Sequence, residues 1–208
     1  MSSKFLAVVS SGLSDLFSGK LNILVATING YIPSGVKYIG TTNSSAVTNL
    51  QGVNGGSLKP ASGLGSLSWA GNEFLDNTLY KITQTGIINV TDQFGSDGNL
   101  DLRVYMANDA FSVTNTTNAV TFSDIFLVTA ATNRRWKMET TITRRGGSIV
   151  ATSHFQYTGN NSTVLEGAIF GGNSLNLDFT QPINLDVRAY PSAGTISLIC
   201  QTFIIEKI

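Results

Sequence analysis

Apolar and polar side chains alternate one by one along much of this chain. Leu100, Leu102, Val104 and Met106 interleave with Asp101, Arg103 and Tyr105. Trp136, Met138, Thr140 and Ile142 share one parity, while Lys137, Glu139, Thr141 and Thr143 share the other. The rhythm returns in Leu175, Leu177 and Phe179. It returns again where Ile183, Leu185, Val187 and Ala189 are set against Asn184, Asp186 and Arg188. Successive side chains of a strand point to opposite faces, so a period of two marks a strand with one buried face. Thr78–Val90 and Val120–Ala130, rich in β-branched and aromatic residues, add two more strands.

Turn signals separate these runs. They are Asp92–Asn99, the polar Ser112–Asn118, Arg144-Arg145-Gly146-Gly147, Gly159-Asn160-Asn161, Gly171-Gly172-Asn173 and Pro191–Gly194. The Arg-Arg-Gly-Gly segment joins Trp136–Thr143 to Ser148–Tyr157 as a β-hairpin. Pro182, which has no N–H for a ladder, suits an edge or a turn. The closing run, Thr195–Ile205, slips parity near Thr202-Phe203, as a bulge would make it do. About eight short strands with no helical pattern between them predict an all-β protein, an antiparallel sandwich or barrel. Buried parallel strands would instead be unbroken apolar runs.

The first third of the chain is different. Phe5, Leu6, Val8, Val9, Leu13, Leu16 and Phe17 fit one apolar helical face, and Leu21–Ile32 fits a strand. Residues 51–66 hold five glycines and a proline, the composition of a linker or long loop. The expected organisation is therefore an N-terminal anchoring or interlocking segment at 1–50, a Gly-rich linker at 51–66 and a β-sandwich at 67–208. With 208 residues the chain is long enough to build a core without staples. The apolar stretch after Lys4 is too short for the core of a secretion signal. No run approaches the roughly 18 apolar residues of a membrane-spanning helix.

Charge narrows the functional classes. Only 12% of residues are charged, and the 13 Lys and Arg balance the 13 Asp and Glu. Ser, Thr, Asn, Gln and Gly must fill the solvent-facing positions, and a surface of low charge does not repel its own copies. Arg134-Arg135 and Arg144-Arg145 are isolated pairs, not the basic stripe that phosphate binding needs, so no direct contact with nucleic acid is expected.

The search for chemistry yields no catalytic, metal or cofactor residue. His154 is the single histidine and lies in a strand between polar and aromatic neighbours. A Ser-His-Asp relay has no other base to use. Zinc needs several Cys or His ligands, and the chain has one of each. Asp92, Asp97, Asp101 and Asp186 fall in turns or on polar strand faces rather than as an acid-base pair, and Asp92 to Asn99 lacks the spacing of a calcium loop. Gly55-Gly56, Gly146-Gly147 and Gly171-Gly172 are not phosphate loops. Cys200, alone in an apolar run, is a small buried hydrophobe. Asn43, Asn89, Asn115, Asn160 and Asn161 sit in Asn-x-Ser/Thr sequences, a chance product of this composition. Trp69, Tyr80, Trp136, Tyr157 and Tyr190 were they exposed would offer sugars a stacking surface. Alternation puts Trp136 in the core, and core or interface is the plainer place for the others.

Several stretches resemble a known family. They are Asn99–Met106 (NLDLRVYM), Thr132–Arg145 (TNRRWKMETTITRR), Ser148–Tyr157, Leu175–Ala189 and Thr195–Lys207 (TISLICQTFIIEK). Together they resemble the small jelly-roll, tumour-necrosis-factor-like β modules of structural proteins in tailed phages and large DNA viruses. The resemblance implies a single jelly-roll sandwich of about eight strands. It implies a non-enzymatic virion protein: a penton or minor capsid subunit that assembles as a pentamer or trimer with neighbouring capsid proteins. The alternative it carries is a trimeric fibre head that binds a host-surface receptor or glycan.

Overall fold

The computed structural model describes residue 32 and residues 34–48, 55–91, 99–108, 119–126, 130–160, 165–172, 175–191 and 196–208. Every regular element among them is a strand. In chain order these are β1 (Val36–Gly40), β2 (Val47–Thr48), β3 (Gly56–Ser57), β4 (Gly63–Gly65), β5 (Ser68–Trp69), β6 (Leu79–Val90), β7 (Asn99–Ala107), β8 (Ala119–Phe126), β9 (Ala131–Arg145), β10 (Ser148–Thr158), β11 (Leu165–Gly171), β12 (Leu175–Asn176), β13 (Ile183–Pro191) and β14 (Ile196–Lys207). The larger sheet runs β11-β10-β9-β6-β14-β1-β4, with β12 beside β10 and β2 beside β14. The smaller runs β3-β13-β7-β8, with β5 beside β13. Every pairing is antiparallel. The protein is an all-β, jelly-roll-type antiparallel sandwich.

Alternation sorts the side chains as expected. Tyr80, Ile82, Ile88 and Val90 of β6 point inward with Trp136, Met138 and Ile142 of β9 and Phe155 and Tyr157 of β10. From the other sheet Leu100, Leu102, Val104 and Met106 meet them, with Ile183, Leu185, Val187 and Ala189 beside these. The inward Thr140 and Ser153 hydroxyls, both fully buried, satisfy each other through a 2.7 Å hydrogen bond across β9 and β10, whereas the equally buried Gln84 Oε1 has no partner among the described residues. The hairpin of β9 and β10 closes at Gly146, whose φ of 60° few side chains other than asparagine adopt readily. The parity slip in β14 is a bulge between Cys200 and Thr202.

The body takes in more of the chain than 67–208. Val36–Gly40 pairs with both β14 and β4, and Tyr38 and Ile39 are buried. Within 51–66, β3 pairs with β13, β4 pairs with β1, and Leu58 is fully buried. The described glycines of that stretch, Gly55, Gly56, Gly63 and Gly65, serve close packing: a Cβ on Gly56 would lie 2.6 Å from Val47. The helical face expected at 5–17, the turn at 92–98 and the loop at 112–118 lie outside the described residues, as does the strand expected at 21–32 apart from Ile32. The anchoring role expected of 1–50 rests largely on those positions.

Cys200 lies in the core beside Gln84, and burial pushes its thiol up to about 12 against weaker lowering by its hydrogen bonds with Gln84 and with the backbone at Thr202 and Thr85. The folded state thus favours the protonated thiol. That preference is fully present below the ordinary thiol range near pH 9 and is lost as pH rises toward 12. Iodoacetamide at pH 8 should leave Cys200 unlabelled in the native protein and modify it in denaturant, as mass spectrometry will read. Labelling at equal rates in both states would contradict the packing described.

Candidate functional site

The outer face of the large sheet is a grid of mostly polar and charged side chains, with Ile204 and the exposed Ile169 among them. Register places Thr202, Thr85, Lys137, Gln156 and Gly167 in one row across β14, β6, β9, β10 and β11. The next row holds Ile204, Thr83, Glu139, His154 and Ile169, and the one after it Glu206, Lys81, Thr141, Thr152 and Gly171. Neighbours within a row stand about 4.8 Å apart, the interstrand spacing. One planar ligand can therefore touch several side chains at once.

Two lysines on this face are tied down by one carboxylate. Glu139 receives Lys81 at 2.5 Å and Lys137 at 3.2 Å. The hydrogen bond from Lys81, helped by Lys137 against some desolvation, holds the Glu139 carboxyl below its ordinary range. Lys137 is fixed in place yet has other ammonium hydrogens to offer. Arg135 donates to the Gln201 side-chain carbonyl, and Arg134 to the Asn160 backbone carbonyl at 2.6 Å. A depression of about 360 Å³ opens here, lined by Thr85, Arg135, Lys137, Gln156 and Thr158 with parts of Trp136 and Tyr157. Its groups are hydroxyls, an amide and two cations, equipment for hydrogen bonding rather than for proton transfer.

The other weighed residues scatter. His154 is exposed, one row from the depression, with Glu139 opposite it on β9. Trp69, Tyr80, Trp136 and Tyr157 are buried, and Trp69 stacks on Phe74 at 5.2 Å. Their faces are covered by core, so none offers a sugar platform. Arg144 lies over the Phe179 ring at 3.9 Å, and its Nη1 donates to the Phe74 carbonyl. Asp92 and Asp97 lie outside the described residues, whereas Asp101 and Asp186 sit on the outer face of the small sheet. Among the described residues no three His, Cys, Asp or Glu side chains gather as metal ligands, and no helix is long and apolar enough to cross a membrane.

On the small sheet, position-by-position alternation had concealed a repeat. Asn-Leu-Asp-x-Arg-x-Tyr occurs at Asn99–Tyr105 and again at Asn184–Tyr190, and the two copies pair antiparallel with each other. Arg103 faces Arg188 at the centre, Asp101 faces Tyr190, and Tyr105 faces Asp186, a local two-fold arrangement. Two arginines directly opposite repel. Each is compensated by the aspartate two residues before it on the same face: Arg103 Nε donates to Asp101 at 2.7 Å, and Arg188 Nη1 to Asp186 at 3.2 Å. Burial disfavours the Arg103 charge, but hydrogen bonds to Asp101 and Tyr105 outweigh it and raise its pKa. Its guanidinium stacks over Tyr190 at 4.3 Å, and the Tyr105 and Tyr190 hydroxyls lie 2.6 Å apart. Burial, then that contact, raises the Tyr190 hydroxyl above its ordinary range.

No protein-family model matches the sequence, and no curated protein matches it. Among solved structures, the metal-free form of lectin I-B4 from Griffonia simplicifolia aligns over 88% of this chain and 97% of its own, at 12% identity and a TM-score of 0.41. Lectin UEA-II complexed with galactose aligns over 85% of this chain and 95% of its own, at 9% identity and a TM-score of 0.38. An alginate lyase from Corynebacterium sp. aligns over 75% and 74%, at 11% identity and a TM-score of 0.31. No residue of this chain takes a role from these matches.

Proposed function

We propose that this chain is a non-catalytic glycan-binding module, set in the virion that the sequence resemblance implies as a fibre or receptor-binding head. The observation that carries this reading is the depression where Thr85, Lys137, Gln156 and Thr158 converge. Sugars present several hydroxyls in fixed directions. A row of hydroxyl, ammonium and amide groups at strand spacing can meet them together, and the rigid sheet keeps the ordering cost low. Glu139 supports the reading in a negative way: held ionised by two lysines, it is a poor proton donor for glycoside cleavage.

The test is glycan-array binding by the full chain, followed by titration of the best ligand. Gln156→Ala and Lys137→Ala should each weaken binding about tenfold or more, the effect of removing one buried polar contact, with circular dichroism unchanged. Failure of the folded protein to bind any glycan, or undiminished binding by both variants, would overturn the assignment.

A capsid-subunit role is the second reading. The balance of 13 cationic and 13 anionic residues favours it, since such a surface packs against its own copies. Electron microscopy of the purified protein separates the two: closed rings of five that ignore glycans favour the capsid subunit.

A further inference from the structure

A second cavity, of about 430 Å³, lies where β2, β3 and the segment Lys59–Ala61 meet β13. Among its lining residues are Ser45, Val47, Ser57, Lys59, Pro60 and Arg188. Two of these are cations and none is a carboxylate. This cavity belongs to different strands from the Thr85–Gln156 row and shares no lining residue with it.

Its positive charge is built, not incidental. The Arg188 side chain is only 13% exposed. Nη1 donates to Asp186 at 3.2 Å and Nη2 to the Gly55 carbonyl at 3.0 Å, so two acceptors fix the guanidinium plane. Asp186 is itself fixed by the Ser57 hydroxyl at 2.6 Å. One arginine charge is thereby balanced from behind, by a residue that does not line the cavity. Lys59 is held at its backbone, its N–H donating to Ser57 Oγ at 3.2 Å, and its ammonium makes no ion pair among the described residues. Gly55 itself packs tightly on β13 beside Arg188, because a Cβ on it would lie 2.4 Å from the Ala189 carbonyl oxygen. The balance is one uncompensated positive charge beside a pre-positioned guanidinium.

We infer that this cavity binds a small monoanionic ligand through its carboxylate, with Lys59 and Arg188 as the recognising pair. Arginine favours planar carboxylates, and the volume lies within the range of small-molecule sites. The carboxylate can come from a free organic acid or an acidic monosaccharide; the experiment separates them.

The full chain is titrated calorimetrically with glucuronate, glucose and acetate at low salt. Binding of glucuronate without glucose is expected, weakening as salt rises. Acetate binding as tightly as glucuronate identifies a simple carboxylic acid as the ligand class; tighter glucuronate identifies an acidic sugar. Lys59→Ala should weaken binding about tenfold or more and Lys59→Glu abolish it, whereas Lys59→Arg should retain it and report a folded site. Gln156→Ala should leave it unchanged, so that failure here and failure of the glycan-binding reading remain distinct. Measured in the Gln156→Ala chain, equal binding of glucose and glucuronate, no binding of either acid, or binding that survives Lys59→Glu would overturn the inference.

Discussion

Replacing Trp136 by alanine should cost the domain about 3–5 kcal/mol, the range for deleting a large buried aromatic. Trp136 is 2% exposed and packs against Phe155, with ring centroids 6.0 Å apart. Its indole Nε1 also donates to the backbone carbonyls of Ile87 at 3.1 Å and Ile199 at 3.2 Å. One side chain on β9 therefore ties together β6 and β14, the central pair of the large sheet. Small domains have only about 5–15 kcal/mol in all, so the variant should unfold at a much lower urea concentration or fail to fold. Trp136→Phe keeps most of the volume but loses the N–H and part of the bicyclic ring; it should cost about 1–3 kcal/mol, less than the alanine. Equal urea midpoints for wild type and Trp136→Ala would mean that the indole does not hold the strands.

Gly86→Ala, a change of one methyl group, should cost about 3 kcal/mol or somewhat more, at or beyond the upper end for overpacking. Gly86 is the inward position of β6 opposite Trp136 on one side and Cys200 on the other. A Cβ there would lie 1.9 Å from the Ile199 carbonyl oxygen and 2.8 Å from Trp136 Nε1. The first contact is backbone at the bulge of β14, which cannot step aside as the tip of a flexible side chain can. The alanine must push β6 and β14 apart or evict the indole. Both positions act on one space, so their effects should not add. In Gly86→Ala/Trp136→Phe the combined loss should fall below the sum of the single losses by more than about 0.5 kcal/mol. A urea midpoint for Gly86→Ala within error of wild type would show that the strands have slack there.

Much of this architecture could be inferred before any coordinates. Alternation located β7, β9, β13 and β14, β-branched and aromatic content located β6, the Arg-Arg-Gly-Gly turn located β10 as its hairpin partner, and the bulge in the last strand was visible as a break in the rhythm. The short strands were not. Two residues of β3, Gly56 and Ser57, carry no period at all, and glycine there signalled freedom where the fold uses it for contact with Val47. Pattern counting also passed over the paired Asn-Leu-Asp-x-Arg-x-Tyr segments; comparing the chain with itself would have found the repeat, though not that its copies are neighbours.

The candidate sites were less legible than the fold. Thr85, Lys137 and Gln156 come from three strands, 52 and 19 positions apart in sequence order, and no local motif links them. Lys59 and Arg188 are farther apart still. What the sequence determined by itself is the strand period, the inward and outward sets and hence the sandwich, because these depend on chemistry repeated every second residue. Tertiary structure alone decided which outward residues share a row, which glycine leaves room for an indole and which cations share a cavity. Register between distant strands is fixed by packing of the whole core, and that information resides in no single segment.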